Sequence, residues 1–187
     1  MASQIAARFK DAYEALSGQV HLAAGPKEAS AVIARIVKEA GATRVALSLD
    51  DAALAADIQG ACGNGVAVLS EPFAPEGVID RLDAVEIGVT SAAFAVAEAG
   101  ALVEFATDDA RRLVSTLPRT HIGVLYSKTI LETLKESAGL IRTFMETHPT
   151  NAAVTFISGP SRTADIEMQL TLGVHGPERA EVVIIGQ

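Results

Sequence analysis

The sequence predicts an α/β fold in which a mostly parallel β-sheet is flanked by helices. Short apolar segments of strand type alternate along the chain with segments of helical periodicity, an order typical of parallel sheets covered on both faces. The chain has 187 residues, of which 49% are hydrophobic, so it is long enough for one domain with a sizeable core.

The chain begins with an amphipathic helix, predicted over residues 3–17. Its apolar face is defined by four residues at helical spacing: Ile5, Phe9, Tyr13 and Leu16. A short extended piece is predicted at residues 20–22. This leader could be an appendage to the sheet, so we assign residues 1–24 to a helical leader and residues 25–187 to the α/β domain.

The elements of the α/β domain follow in alternation. Pro26 suits the first turn of the second helix, and Gly41 suits its C-terminal cap. After the leader, helices are predicted over residues 26–40, 51–60, 91–99, 129–146 and 163–170. Strands are predicted over residues 44–49, 66–69, 85–89, 101–106, 121–126, 154–158 and 181–185.

Composition and charge exclude several classes of function. A formal net charge of −8 argues against a partner with a phosphate backbone, and the absence of tryptophan argues against a base-stacking surface, so no nucleic acid is expected. The single cysteine, Cys62, excludes a disulfide framework, a four-thiolate zinc site and an iron–sulfur cluster held by this chain alone. The histidines lack metal-ligand spacing, so no metal site is expected. The sequence shows no signal peptide or membrane-spanning segment, which predicts a cytoplasmic protein.

The strongest local motif comprises residues 158–167 and joins a predicted strand to a predicted helix. Ligands bind at such turns in α/β sheets, because free helix amides favour an anion and a glycine lets a ligand approach the backbone. The candidate ligand-binding residues are Ser158, Gly159, Ser161, Arg162, Thr163 and Asp165. A capped turn is the alternative interpretation, with Thr163 as the N-cap and Asp165 complementing the helix dipole.

Two further segments contain candidate site residues. Thr90 lies where a predicted strand meets a turn of small residues, and Glu98 interrupts an otherwise apolar run. A buried glutamate suits acid–base catalysis, whereas a glutamate at a helix end that points to water does not. Arg112 and His121 belong to a segment with three arginines, which could line an anion pocket or pair with acidic residues such as Asp108.

The last candidates lie close to the C-terminal strand. His175 and Gly176 belong to a glycine-flanked loop at residues 173–177. A histidine in this setting suits either a titrating ligand-binding group or a turn residue with a hydrogen-bonded ring.

Several of these motifs occur together, in the same order, in a known family. They are Gly88-Val89-Thr90, Ala97-Glu98 with Gly100, Leu117-Pro118 followed by His121-Ile122, residues 158–167, and Gly173-Val174-His175-Gly176-Pro177. From about residue 88 onward, the sequence resembles the LUD domain of the lactate-utilization protein C family. Because strand-end loops of a parallel sheet meet at one edge, this resemblance favours an anion site at the loop around Arg162.

The resemblance implies a fold similar to that of the sugar-phosphate isomerase and CoA-transferase superfamily. It also implies a role as an accessory or ligand-binding subunit in the oxidation of L-lactate to pyruvate, beside iron–sulfur subunits that carry the clusters, with no cofactor in this chain. Glu98 and His175 would then supply proton transfer, and Arg162 would bind a small carboxylate or phosphate. Relatives commonly carry hydroxyl residues where this chain has Ala99 and Ala101, which implies a changed affinity or ligand.

Two alternatives to this function remain open. The chain could be a stand-alone enzyme acting on a phosphorylated sugar, a CoA thioester or a related anion, an interpretation that rests on fold analogy. It could also be a structural subunit whose pocket has lost its ligand, which the alanines at positions 99 and 101 would fit.

Overall fold

A computed structural model of the chain describes residues 2–164 and 170–186. Six α-helices lie within these ranges: α1 (Ala2–Ala15), α2 (Pro26–Glu39), α3 (Ala52–Cys62), α4 (Val78–Asp83), α5 (Asp109–Thr116) and α6 (Leu134–Thr147). The same ranges contain twelve strands: β1 (Gln19–Ala23), β2 (Arg44–Ser48), β3 (Ala67–Ser70), β4 (Ile87–Ser91), β5 (Phe94–Val96), β6 (Ala101–Ala106), β7 (Thr120–Tyr126), β8 (Ile130–Leu131), β9 (Ala153–Ile157), β10 (Arg162–Ala164), β11 (Leu170–Leu172) and β12 (Arg179–Ile185). None of the described helices is both long enough and apolar enough to cross a membrane.

The main sheet has six parallel strands in the order β1-β12-β7-β4-β2-β3. Its strands are short and apolar because helices and a second sheet cover its two faces. The predicted α/β fold with a mostly parallel sheet flanked by helices is therefore confirmed.

The N-terminal segment takes part in this architecture. Strand β1 pairs in parallel with β12 along five residues, from Gln19 opposite Glu181 to Ala23 opposite Ile185. In α1, the side chains of Phe9 and Tyr13 are fully buried and stack at 5.5 Å between ring centroids. Residues of the predicted helical leader thus supply an edge strand and part of the core.

A second sheet has the order β8-β5-β6-β9 and contains antiparallel pairs. The helix predicted over residues 91–99 is wrong, because β5 occupies residues 94–96 and forms a hairpin with β6. Gly100 closes the hairpin at φ +54°, and a Cβ there would lie 2.8 Å from the carbonyl oxygen of Ala12. Strand pairing and the burial of apolar side chains stabilise the hairpin, and together they outweigh the helical propensity of its alanines.

Two other predicted helices need correction. The helix predicted over residues 129–146 begins at Leu134, where Thr133 and Glu136 form a capping box, and β8 precedes it. The segment predicted as a helix over residues 163–170 begins and ends in strands, because β10 pairs antiparallel with β11. Residues 165–169, which include the candidate Asp165, lie outside the described residues.

Strand alternation determines which residues reach the interior between the two sheets. Val89 and Ile122 face the core formed with α2 and α3, so their neighbours Thr90 and His121 face the opposite side of the sheet. On that side the elements approach closely, since a Cβ on Gly88 would lie 1.9 Å from the carbonyl oxygen of Val114 in α5. Helix α5 and the second sheet therefore press directly on the polar residues of β4 and β7.

Candidate functional site

A cavity of ≈ 180 Å³ lies beside the amino-terminal ends of β7 and β12, against β9 and α5. It contains six of the residues predicted from the sequence: His121, Ser158, Gly159, Ser161, His175 and Gly176. The rest of its lining comes from Ser115, Thr116, Thr155, Phe156, Ile157, Pro177 and Ala180. The structure thus brings the two C-terminal motifs together with the histidine of β7.

The location differs from the one expected for strand-end loops of a parallel sheet. Strand β9, which leads into residues 158–162, belongs to the antiparallel second sheet, so its loop does not join the carboxyl edge of the main sheet. His121 is the second residue of β7 and Ala180 the second of β12, which places the cavity at the opposite edge. The expectation of a site at the carboxyl edge is therefore wrong for this cavity.

Backbone hydrogen bonds hold the two C-terminal motifs against each other. The Ser161 amide donates to the Pro177 carbonyl at 2.9 Å, and the Gly173 amide donates to the Ser161 carbonyl at 3.0 Å. Gly159 has φ +84°, and a Cβ there would lie 2.4 Å from the carbonyl oxygen of Leu16. Position 159 therefore requires glycine, because the backbone is left-handed there and passes directly against the end of α1.

The lining residue His121 contacts Thr90 of β4, which lies in the buried interior behind the cavity. His121 and Thr90 are each 1% exposed, and His121 Nε2 lies 2.8 Å from Thr90 Oγ1. Burial lowers the pKa of His121 to about 4, so the ring is neutral at neutral pH. Its other nitrogen, Nδ1, is buried without a hydrogen-bond partner among the residues that the structure describes.

Glu104 of β6 is a buried carboxylate that the sequence did not indicate. It is 2% exposed and stands directly across from the cavity residue Thr155 of β9. Burial raises the pKa of Glu104 to about 7, against the opposing effects of Ser115, Arg111 and Thr90. Within the described part of the chain, neither carboxylate oxygen makes a hydrogen bond of normal geometry. The available signal was a single carboxylate inside the apolar strand at residues 101–106.

Arg111 turns toward the interior with its side chain 13% exposed, whereas the side chain of Arg112 is 31% exposed and turns away from Ser48. Arg111 Nε donates to Ser48 Oγ at 3.0 Å, and its Nη2 donates to Asp50 Oδ1 at 2.7 Å. Arg112 pairs with the carboxylate of Asp109. Adjacent helical residues point about 100° apart, so only one of the two can face the sheet.

Three further predicted site residues lie outside the lining of the cavity. Glu98 is exposed in the β5–β6 turn, where its Oε1 accepts a hydrogen bond from the Leu134 amide at 3.0 Å, at the start of α6. Arg162 is exposed in β10 and follows Ser161 of the cavity. Thr163 is the next residue of β10.

Two larger cavities suit an anion less well. One of ≈ 740 Å³ has Glu71, Asp108 and Asp109 in its lining, and one of ≈ 580 Å³ is lined by Asp50 and Asp51 among others. Their carboxylates repel an anionic ligand. The smaller cavity contains histidine, hydroxyl and glycine residues, so we take it as the candidate site despite its size.

Metal ligation is not supported in the residues that the structure describes, where no three histidine, cysteine or acidic side chains come close enough to hold an ion. Cys62 ends α3 and is half-buried. Burial raises the pKa of its thiol, which makes it a poor nucleophile.

The fold and the cavity define an α/β protein in which two C-terminal loops and His121 of β7 line a small cavity. The family model of the LUD domain matches residues 6–185, so the chain belongs to the LUD domain family. "Lactate utilization protein C" of Geobacillus sp. (strain WCH70) is 36% identical over 108 residues, which cover 57% of this chain and 45% of that protein. The protein of the same name from Bacillus subtilis (strain 168) is 33% identical over 108 residues, with the same coverage.

These matches span less than half of the length of either relative. A solved structure covers the whole chain: the crystal structure of a DUF162 family protein from Deinococcus radiodurans has a TM-score of 0.71 at 21% identity. It covers 100% of this chain and 99% of that one, which shows that the two share a fold.

Proposed function

We propose that this chain serves the use of L-lactate by binding a small hydroxy or oxo carboxylate in the cavity at His121. In this proposal it acts as a ligand-binding subunit beside iron–sulfur proteins, which accept the two electrons released when L-lactate becomes pyruvate. Membership of the LUD domain family and the relatives named "Lactate utilization protein C" support a role in lactate use.

The observation that carries the proposal is the convergence of two separate C-terminal segments on one pocket. Ser161 and His175 come from different loops, and the hydrogen bond between Ser161 and Pro177 fixes their relative position. A volume of ≈ 180 Å³ is room for roughly six water molecules, about the size of a three-carbon acid.

The lining suggests a division of roles within the pocket. The exposed Arg162 beside the pocket supplies positive charge for a carboxylate, and the His175 ring and the Ser161 hydroxyl supply hydrogen-bond donors. His121, neutral and buried, faces the less polar end of the ligand. Glu98 takes no part in this arrangement, because it lies in the β5–β6 turn at the start of α6.

Calorimetric titration of the chain with L-lactate, pyruvate and inorganic phosphate tests the binding step. We expect His175→Ala to weaken carboxylate binding by about 10- to 100-fold, the equivalent of one charge-assisted hydrogen bond. His148→Ala is the matched control, because His148 is exposed after the end of α6 and should leave binding unchanged. Equal affinity in all three proteins would contradict the assignment of the pocket.

Lactate-dependent dye reduction tests the role in oxidation. The chain is co-expressed with cluster-binding partner proteins, and rates are compared with and without it. Equal rates in both mixtures would overturn the proposal. Strong stabilisation by one sugar phosphate or CoA thioester, lost in Arg162→Ala, would instead point to a stand-alone enzyme.

A further inference from the structure

A second cavity, of ≈ 740 Å³, lies between the segment that follows β3 and the first turn of α5. We call it the cavity at Phe73, and its apolar lining residues are Pro72, Phe73, Pro75, Val78 and Ala110. Phe73 and Val78 also pack against a buried cluster that contains Leu82 and Val114. The apolar lining is therefore fixed in place by the core.

Apolar surface continues beyond this cavity. Ile79 follows Val78 on α4 and is 61% exposed, and it does not belong to the lining. Contiguous apolar surface with a polar rim is typical of a binding surface. Because part of this surface lies outside the cavity, it suits an extended partner better than a small molecule.

The rim of the cavity at Phe73 is acidic. Glu71, Asp108 and Asp109 belong to its lining. The two segments that form its walls, residues 71–83 and 108–112, contain six acidic residues and three arginines. One of these arginines, Arg111, is shared between Asp50 at 2.7 Å and Glu71 at 3.9 Å, so a single positive charge faces two carboxylates. Negative charge therefore remains in excess around the apolar lining.

The carboxylate of Asp109 is accessible to a partner. Its side chain is 76% exposed and pairs only with Arg112 among the described residues, on the surface of α5. Such an exposed pair contributes little to stability, because water and salt screen it. A cation from outside can therefore join or replace Arg112 at little cost.

Charge distinguishes this cavity from another apolar groove. A cavity of ≈ 440 Å³ between the second sheet and α6 contains Phe94 and Leu140, and its lining includes no charged residue within the described ranges. That groove gives no indication of what would cover it. The acidic rim of the cavity at Phe73 does, because complementary charge selects a partner and like charge excludes one.

We propose that the cavity at Phe73 is a docking site for a basic, apolar segment of a partner protein. Apolar side chains of that segment enter the lining beside Phe73 and Ala110. Its arginine or lysine side chains pair with the carboxylates of Glu71, Asp108 and Asp109. Arginine suits this rim best, since its guanidinium group binds a carboxylate through two parallel hydrogen bonds.

Helix α5 joins the docking site to the cavity at His121. Asp109 and Ala110 in its first turn line the cavity at Phe73, and Ser115 and Thr116 in its last turn line the cavity at His121. An α-helix of this length spans about 12 Å. A docked segment thus lies close to a ligand of the other cavity, but the docking proposal does not depend on what that ligand is.

Binding of three fluorescently labelled peptides of equal length tests the proposal. One is built from leucine and arginine, one from leucine and glutamate, and one from serine and arginine. We expect the leucine–arginine peptide to bind at least about tenfold more tightly than either of the others, and its affinity to fall as the ionic strength rises. Equal affinities for the two arginine peptides would show attraction by net charge alone and would overturn the proposal.

Two variants test the position of the site. Ala110→Arg places a long, positively charged side chain in the cavity at Phe73, at a helical position that tolerates arginine, and should weaken binding by about tenfold or more. Leu140→Arg is the matched control, because it adds the same charge at an exposed site in the uncharged groove on α6 and should leave most of the affinity. Far-ultraviolet circular dichroism checks that both variants fold. Equal losses in the two variants, or no loss in Ala110→Arg, would overturn the assignment.

Backbone amide shifts locate the bound peptide. We expect the leucine–arginine peptide to perturb residues 71–79 and 108–110, which surround the cavity at Phe73. Perturbations confined to the groove at Leu140 would refute the proposal. Binding of phenethylamine as tight as that of the peptide would refute it as well, because the cavity would then take a small organic cation.

Discussion

Replacing Glu104 with glutamine should change how the free energy of unfolding depends on pH. The pKa of Glu104 is about 7 in the folded protein and 4.5 for a freely solvated glutamate. The folded state therefore binds a proton in the interval where the unfolded state has lost it. In that interval, stability falls as the pH rises, and the loss is complete above the folded pKa.

The magnitude follows from the two pKa values. Each pH unit between them corresponds to about 1.4 kcal/mol, so ionising the buried carboxyl costs the native state about 3 kcal/mol. Glutamine cannot ionise and pays no such cost. The stability of Glu104→Gln relative to the wild type should therefore increase by about 3 kcal/mol between pH 4.5 and a pH above 7.

His121 contributes the opposite slope. Its pKa is about 4 in the folded protein and 6.5 when solvated, so the unfolded state binds the extra proton and stability rises with pH over this interval. The two contributions nearly cancel in the wild type between about pH 4.5 and pH 6.5. In Glu104→Gln only the histidine contribution remains, and stability should rise with pH there.

Urea unfolding followed by far-ultraviolet circular dichroism suits this chain, which has no tryptophan. The difference between variant and wild type cancels the titration of every other group, and Glu146→Gln controls for the loss of a surface carboxylate. A difference for Glu104→Gln that stays constant from about pH 4.5 to about pH 8 would refute the raised pKa and the burial behind it.

Three further predictions concern the fold, each read from urea unfolding at one pH. Gly88→Ala should lower the free energy of unfolding by about 3 kcal/mol or more, because its Cβ would meet the Val114 carbonyl. Gly139→Ala, in open space on α6, should raise it by about 1 kcal/mol. Similar effects at both sites would contradict the close approach of α5 to β4. Phe9→Ala should cost about 3–5 kcal/mol if α1 belongs to the core, and a change below 1 kcal/mol would show that it does not. Thr133→Ala should cost about 1 kcal/mol through the capping box, and no loss would remove that assignment.

The sequence was sufficient to predict elements whose apolar pattern is local. The strands around Val89 and Ile122 were predicted because buried parallel strands are continuously apolar. Strand β5 was predicted as part of a helix, whereas β6 lies where a strand was predicted, at residues 101–106. The alanines around β5 favour a helix locally, while pairing with β6 and β8 decides the structure. Pairing between distant strands leaves no periodic signal in a short segment.

The site residues also divide into those with a local sequence signal and those that depend on tertiary packing. His121, Ser161 and His175 were found because their motifs are unusual in sequence, and they meet in one cavity. Glu104 was missed, since a glutamate in a strand is normally exposed and its burial here depends on tertiary packing around β6, which contacts α5 and β9. Arg112 was chosen where Arg111 turns inward, because the direction of α5 relative to the sheet is not encoded in the segment itself.

A map of backbone amide shifts during titration with L-lactate tests the central claim most directly. We expect perturbations at Ser161, Gly176 and His121, which line one cavity from three separate segments. Perturbations confined to the acidic cavity between Asp51 and Tyr126 would contradict the proposed site. The absence of any perturbation, at L-lactate concentrations up to those in a cell grown on lactate, would contradict it as well.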